Sequence, residues 1–289
     1  MIRIVTDTDS NMPQHVVDEY DIALAPIHIL FGDEIVREHF EISPAEAYER
    51  MAAVEELPKT SQPPIGEFKA IYERLLADDP HTTIISLHIS EGVSGTMGSA
   101  RQAAAMLPEA DIRVFDTRTA SLGQGLMARQ AAELARQGVD AEDIMAQLAQ
   151  MRDNVQVYFV VKTLDFLAKG GRIGWASHLM GSVLAIKPLL TVTDGVIDAH
   201  SRFRTWKQAL GGLRDLVLAD VPPLSERDPR DSLHLGVVHA VNAEEAQPLL
   251  DDLAAAIEPQ VTVLGEIGPG LGVHVGPGTI GVCWLRAPA

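Results

Sequence analysis

Four short segments hold the residues whose types and spacing could do chemistry. They are Thr60-Ser61-Gln62-Pro63, Ser94-Gly95-Thr96, Lys169-Gly170-Gly171-Arg172-Ile173-Gly174 and His274-Val275-Gly276-Pro277-Gly278. Each puts hydroxyls, glycines or a histidine in a tight turn beside an expected helix or strand end. Backbone N–H groups and hydroxyls arranged in this way suit a small anion. Thr60 and Ser61 precede a proline-initiated helix, where hydroxyls either cap the orphan N–H groups of the first turn or donate to a ligand. Ser94 lies beyond the carboxyl end of an expected strand, the usual ligand position in an open parallel sheet, and Gly95 lets a ligand approach the backbone. His274, flanked by glycines, either packs structurally or turns its ring to a ligand.

Other chemistries lack their signals. A nucleophile elbow needs G-x-S-x-G, and Thr96 stands at the last glycine position of Gly92-Val93-Ser94-Gly95-Thr96. Asp7-Thr8-Asp9 offers oxygen ligands to a divalent metal, but no second acidic cluster accompanies it, and no metal is expected. No phosphate-binding P-loop, dinucleotide fingerprint, H-E-x-x-H or C-x-x-C occurs, so no cofactor is expected. A phosphotransferase-like or esterase-like enzyme using Ser94 and His274 is the alternative to a binding protein. Cys283, the only cysteine, reads as a small buried apolar group in the run Ile280–Leu285.

The elements that position these residues fall into two halves of the 289-residue chain. In the first, short apolar strands (Ile2–Val5, Ile22–Leu30, Thr83–His88, Ile112–Phe115) alternate with helices (Pro13–Tyr20, one opened by Ser43-Pro44, Pro63–Leu76, Gly98–Met106, Leu122–Arg136). This pattern predicts an α/β domain, 1–155, with a mostly parallel sheet and helices on both faces. The second half, 156–289, predicts an α+β domain with a largely antiparallel sheet. It carries strands at Val155–Val161, Leu233–His239 and Ile280–Leu285, a hairpin of Leu189–Thr193 with Val196–His200 around Asp194-Gly195, and helices at Leu179–Leu184 and Ala243–Ile257. With 40 acidic against 23 basic residues the formal charge is −17, which repels nucleic acid and anionic bilayers. No apolar run reaches membrane-spanning length and strand-forming residues begin at Ile2, so a cytoplasmic protein is expected.

Taken together and in order, these motifs resemble the DegV family of bacterial fatty-acid-binding proteins over essentially the whole chain. The resemblance includes Ile4-Val5-Thr6-Asp7, Phe31-Gly32-Asp33-Glu34, Leu164 to Gly174 and Ile186-Lys187-Pro188-Leu189-Leu190. It implies a long-chain fatty acid held near the domain junction, with Thr60, Ser61 and Ser94 on its carboxylate, Gly95 presenting backbone and His274 close by. It also implies a non-catalytic role as the acyl-carrying subunit of a fatty acid kinase, with Arg204 and Arg202 facing a separate ATP-dependent partner. The second domain would line the acyl pocket, from residues such as Phe159, Val161, Leu164, Leu167, Met180, Val183, Leu184 and Leu190. Glu91, beside the head-group turn, would repel a carboxylate unless it points outward.

Overall fold

The computed structural model describes residues 1–54, 56–179, 186–228 and 231–288. The first half carries β1 (Ile2–Asp7), α1 (Gln14–Tyr20), β2 (Ala23–Ala25), β3 (His28–Phe31), β4 (Glu34–Arg37), α2 (Pro44–Ala53) and β5 (Lys59–Ser61). It continues with α3 (Ile65–Asp78), β6 (Thr83–His88), α4 (Thr96–Ala105), β7 (Ile112–Asp116), α5 (Leu122–Arg136) and α6 (Ala141–Asn154). The second half carries β8 (Gln156–Val160), α7 (Asp165–Lys169), β9 (Lys187–Thr193), β10 (Val196–Phe203), α8 (Trp206–Asp220) and β11 (Asp231–His239). It ends with α9 (Ala243–Ile257), β12 (Val261–Glu266), α10 (Pro269–Val275) and β13 (Ile280–Pro288).

Strands β2-β1-β6-β7 form a sheet in which every pair is parallel. Helices α3 and α4 cover one face and α5 the other. The second sheet, β10-β9-β8-β13-β11-β12, is antiparallel except for the β11–β12 pair. Both sheets follow the α/β and α+β expectation. A third sheet, β4-β3-β5, was not expected.

That small sheet exists because Ile22–Leu30 is not one strand. Pro26 has no N–H to give to a ladder, so the chain leaves the parallel sheet there and pairs afresh as β3. The N–H of Ile27 goes instead to Thr8 Oγ1 at 3.0 Å. The expected hairpin forms at Asp194-Gly195, whose φ values of 49° and 79° are the left-handed pair a tight two-residue turn requires. The helix expected over Leu179–Leu184 falls, past Leu179, outside the described residues, as do Met180, Val183 and Leu184.

Helix α5 is buried on nearly every side, because it packs against the parallel sheet on one face and against β11 and β13 on the other. Gly123, Gly125, Ala128, Ala131 and Ala132 are the small residues such a double contact needs. The core cluster around it therefore joins Ile4, Ile85 and Leu87 of the first half to Val238, Cys283 and Leu285 of the second. Helices α8 and α9 close the far side of the six-stranded sheet over Leu213, Leu235 and Trp284.

Candidate functional site

A cavity opens where the parallel sheet, the six-stranded sheet and α10 meet. At its mouth stand Thr60, Ser61, Gln62, Ser94, Arg172 and His274. Its wall is mostly apolar and draws on both halves: Ile27, Ile89 and Leu122 from the first, Phe159, Val192, Ile197, Val238, Ile267 and Val282 from the second. The lining is thus not confined to the second half. Of the apolar residues named from sequence, Phe159 and Leu167 face the cavity, whereas Val161, Leu164 and Leu190 belong to a packed cluster beside it.

Thr60 sits in β5, paired across to Ile29 of β3, and its side chain reaches α10. Its Oγ1 lies 2.9 Å from Nε2 of His274, 214 residues away. Pro64, not Thr60, occupies the cap position of α3, and no side chain caps that helix. His274 lies not in a turn but in the last turn of α10. Burial, with the nearby Arg172 guanidinium, lowers its pKa to about 4, so the ring is neutral around pH 7. Its Nδ1 is buried without a hydrogen-bond partner and lies against Gly170.

Ser94 is held in a local turn: its hydroxyl is 2.9 Å from Thr96 Oγ1 and accepts the Thr96 N–H at 3.3 Å. No hydrogen bond joins it to a histidine among the described residues. The loop that carries it rests on the β9–β10 turn, where Ser90 Oγ donates to Gly195 O at 2.8 Å and accepts the Gly92 N–H at 3.1 Å. Gly95 caps α4 and borders the groove outside the mouth rather than the cavity itself. A Cβ there would stand 3.0 Å from the Gln62 side chain, so glycine permits the two segments to meet. Glu91 points outward, exposed, with both carboxylate oxygens within 2.9 Å of Arg101 Nη1. Arg172 donates to Val93 O at 3.3 Å and Gly170 O at 2.9 Å, which ties two of the motif segments together at the mouth.

Two features escaped the sequence reading. Beneath the site a fully buried chain runs from Tyr72 OH to Ser86 Oγ at 2.8 Å, to His88 Nε2 at 2.7 Å, and from His88 Nδ1 to Asp7 Oδ2 at 2.9 Å. It resembles a catalytic triad but is sealed from solvent, and Asp7 Oδ2 also accepts the N–H of Ile89, a cavity residue. The alternation Ser86-Leu87-His88 on a buried strand was the available signal. The second is Glu38, which is buried, bonded to Thr8 Oγ1, and accepts the Gly270 N–H at 2.8 Å. Among the described residues no group of three or more His, Cys, Asp or Glu side chains could hold a metal ion, and no helix is long and apolar enough to cross a membrane.

Arg202 and Arg204 lie elsewhere. They are exposed at the far end of β10, in a groove with His200, Phe203, Gln208 and Asp215. Neither arginine lines the cavity: Ile197 does, and the five residue steps from it to Arg202 span about 17 Å of strand.

A family model described as an uncharacterised protein of the DegV family matches residues 1–287. The chain belongs to the DegV family. Protein DegV of Bacillus subtilis is 35% identical to it over 284 residues, covering 98% of each chain. Among solved structures, a DegV family protein from Thermus thermophilus described for its fatty acid binding superposes with a TM-score of 0.89 at 32% identity, covering 99% of each chain. The Bacillus subtilis DegV structure, described as a fatty acid binding protein, gives 0.88 at 35% identity, again over 99% of each chain.

Proposed function

We propose that this DegV protein binds a long-chain fatty acid without catalytic activity of its own. The acyl chain occupies the cavity between two domains, 1–155 and 156–289, and the carboxylate lies at the mouth. One observation carries the reading: an apolar cavity ends in Thr60, Ser94 and His274, three uncharged hydrogen-bonding groups from separate segments. The fatty acids described for the Thermus thermophilus and Bacillus subtilis relatives support it.

The division of labour follows from magnitudes. A hydrogen bond to a charged group nets about 1.5–3 kcal/mol. A buried methylene contributes about 0.8 kcal/mol, so roughly 14 of them supply about 11 kcal/mol gross, before the cost of ordering the chain. The tail sets affinity and the mouth sets orientation. With Ser61, Gln62 and Arg172 exposed around it, the carboxylate faces outward, which suits presentation to a separate ATP-dependent kinase that forms the acyl phosphate. The exposed Arg202, Arg204 and Lys207 are a basic patch on a chain of charge −17, and they would contact that partner rather than the head group.

Native mass spectrometry of the purified protein, followed by lipid extraction, tests the binding. The expected result is one fatty acid per chain, lost or weakened about tenfold or more in Ser94→Ala. A protein that is empty and refuses added fatty acid overturns the reading. Arg204→Ala should spare lipid binding and impair phosphorylation by the kinase; equal loss of both would sink the partner assignment.

A further inference from the structure

The cavity wall carries one polar group that the proposed head-group site leaves unused. Asp9 lies in the single turn Thr8–Ser10, is 4% exposed, and lines the cavity. Its Oδ1 is buried with no hydrogen-bond partner. The other hydroxyls and the thiol of the inner wall are already committed. Ser121 Oγ donates to Asn11 Oδ1 at 2.8 Å, Thr279 Oγ1 donates to Val275 O at 2.9 Å, and the Cys283 thiol lies 3.6 Å from Gly236 O.

A structural duty at the start of α10 does not account for Asp9, because Glu38 already accepts the Gly270 N–H there. Asp9 Oδ1 instead lies against the bare face of Gly270, itself a lining residue, where a Cβ would collide with it and would stand 2.8 Å from Glu38 Oε2. Two carboxyls crowded in a dry wall cannot both ionise cheaply. Burial, with Glu38 and Asp7 nearby, pushes the Asp9 pKa well above the usual carboxylate range. Burial and the neighbouring Glu38 thus favour the carboxylic acid form of Asp9, which offers one O–H donor and free acceptor positions.

Its place along the cavity is set by α10. Gly270 and His274 are four residues apart, on one face of the helix and about 6 Å apart along its axis. A chain whose carboxylate rests by His274 and Thr60 thus passes Asp9 within its first several carbons. A methylene there leaves the Asp9 carboxyl without a partner on the cavity side, whereas a hydroxyl gives that group a partner that both donates and accepts. We propose that the ligand is a hydroxylated fatty acid, its hydroxyl on the carboxyl-proximal part of the chain and hydrogen-bonded to Asp9. This rests on the fatty-acid reading of the site and narrows its ligand class. Sites built to pair a substrate hydroxyl discriminate strongly against the analogue that lacks it.

Calorimetric titration of the delipidated protein with palmitic acid, and with palmitic acids hydroxylated singly from C2 to C8, tests this. Wild type, Asp9→Leu and Asp9→Asn are compared after their folding is checked by circular dichroism. One position, or two adjacent ones, should bind wild type at least tenfold tighter than palmitic acid. Asp9→Leu should reverse that order, and Asp9→Asn, which keeps a donor and an acceptor, should retain it. Tighter binding of palmitic acid than of every hydroxylated isomer overturns the proposal, as does a preference that survives Asp9→Leu. Should Asp9→Leu not fold, the wild-type positional series decides alone: a flat series overturns the proposal. Binding of palmitic acid without a hydroxyl preference sinks this inference and leaves the fatty-acid reading standing; no binding of any acid sinks both.

Discussion

The hydrogen bond between Thr60 and His274 stands at the mouth of the cavity, and burial sets the charge of one partner. The imidazole pays heavily for protonation in its apolar surroundings, and Arg172 adds a like charge, so its pKa falls to about 4. A depressed pKa contributes stability that is complete above the ordinary value of 6.5 and is lost as pH falls toward 4. In the ligand-free protein the His274 ring resonances should therefore stay those of neutral imidazole from pH 8 to about 5; titration near 6.5 would show that the ring is more exposed than its packing implies. A neutral ring is also free to donate to a carboxylate without a fixed counter-charge. Thr60→Ala removes its partner and one donor to the ligand, and should weaken fatty-acid binding about tenfold by calorimetry while leaving the fold intact. These residue types were legible in the sequence because glycines and proline flank them. Their pairing was not, since no local pattern joins positions 214 residues apart. Asp9 was legible only as an acid, and its lack of a partner appears only once the wall around it is assembled.

At the scale of elements, the head-group loop owes its position to a hairpin from the other half of the chain. Ser90 holds the carbonyl of Gly195, and a Cβ on Gly92 would stand 2.6 Å from that same oxygen. At Gly195 itself φ is +79°, and a side chain there would collide with Ser90 Oγ. Gly195→Ala should thus cost more than the roughly 1–2 kcal/mol of the left-handed conformation alone. It should lower the melting temperature by several degrees, and it should also weaken ligand binding by displacing Ser94; unchanged values of both would show that the turn does not brace the loop. The Asp194-Gly195 pair announced this hairpin in the sequence. Helix α6, with Asp140 accepting the N–H groups of Glu142 and Asp143, and α8, with its Thr205–Gln208 capping box, carried equally plain start signals that the apolar strands around them obscured. The break at Pro26 was similarly legible, whereas the pairing of β3 with β4 and β5 was not, because short half-exposed strands carry little periodicity.

Across the whole molecule, the two halves are joined by more than apolar contact. Glu38, just past β4, accepts the N–H of Gly270 from 232 residues away, and it does so from a position burial makes costly for a charge. Desolvation outweighs its bonds to Thr8 and Gly270 and raises its pKa to about 7 from an ordinary 4.5. Above 4.5 the unfolded chain sheds this proton while the folded one keeps it. The contribution to stability is therefore complete below 4.5 and is lost as pH rises through about 7. At about 1.4 kcal/mol per pKa unit, the loss is of the order of 3–4 kcal/mol, a sizeable share of what holds a typical domain folded. Glu38→Gln keeps an acceptor for Gly270 and cannot ionise. Urea unfolding at pH 5.5 and 8.5 should therefore show wild type losing more stability across that interval than Glu38→Gln does. Equal losses would mean that Glu38 is ionised in the folded protein at pH 5.5, and that the junction between the halves tolerates a buried charge which its apolar surroundings should expel.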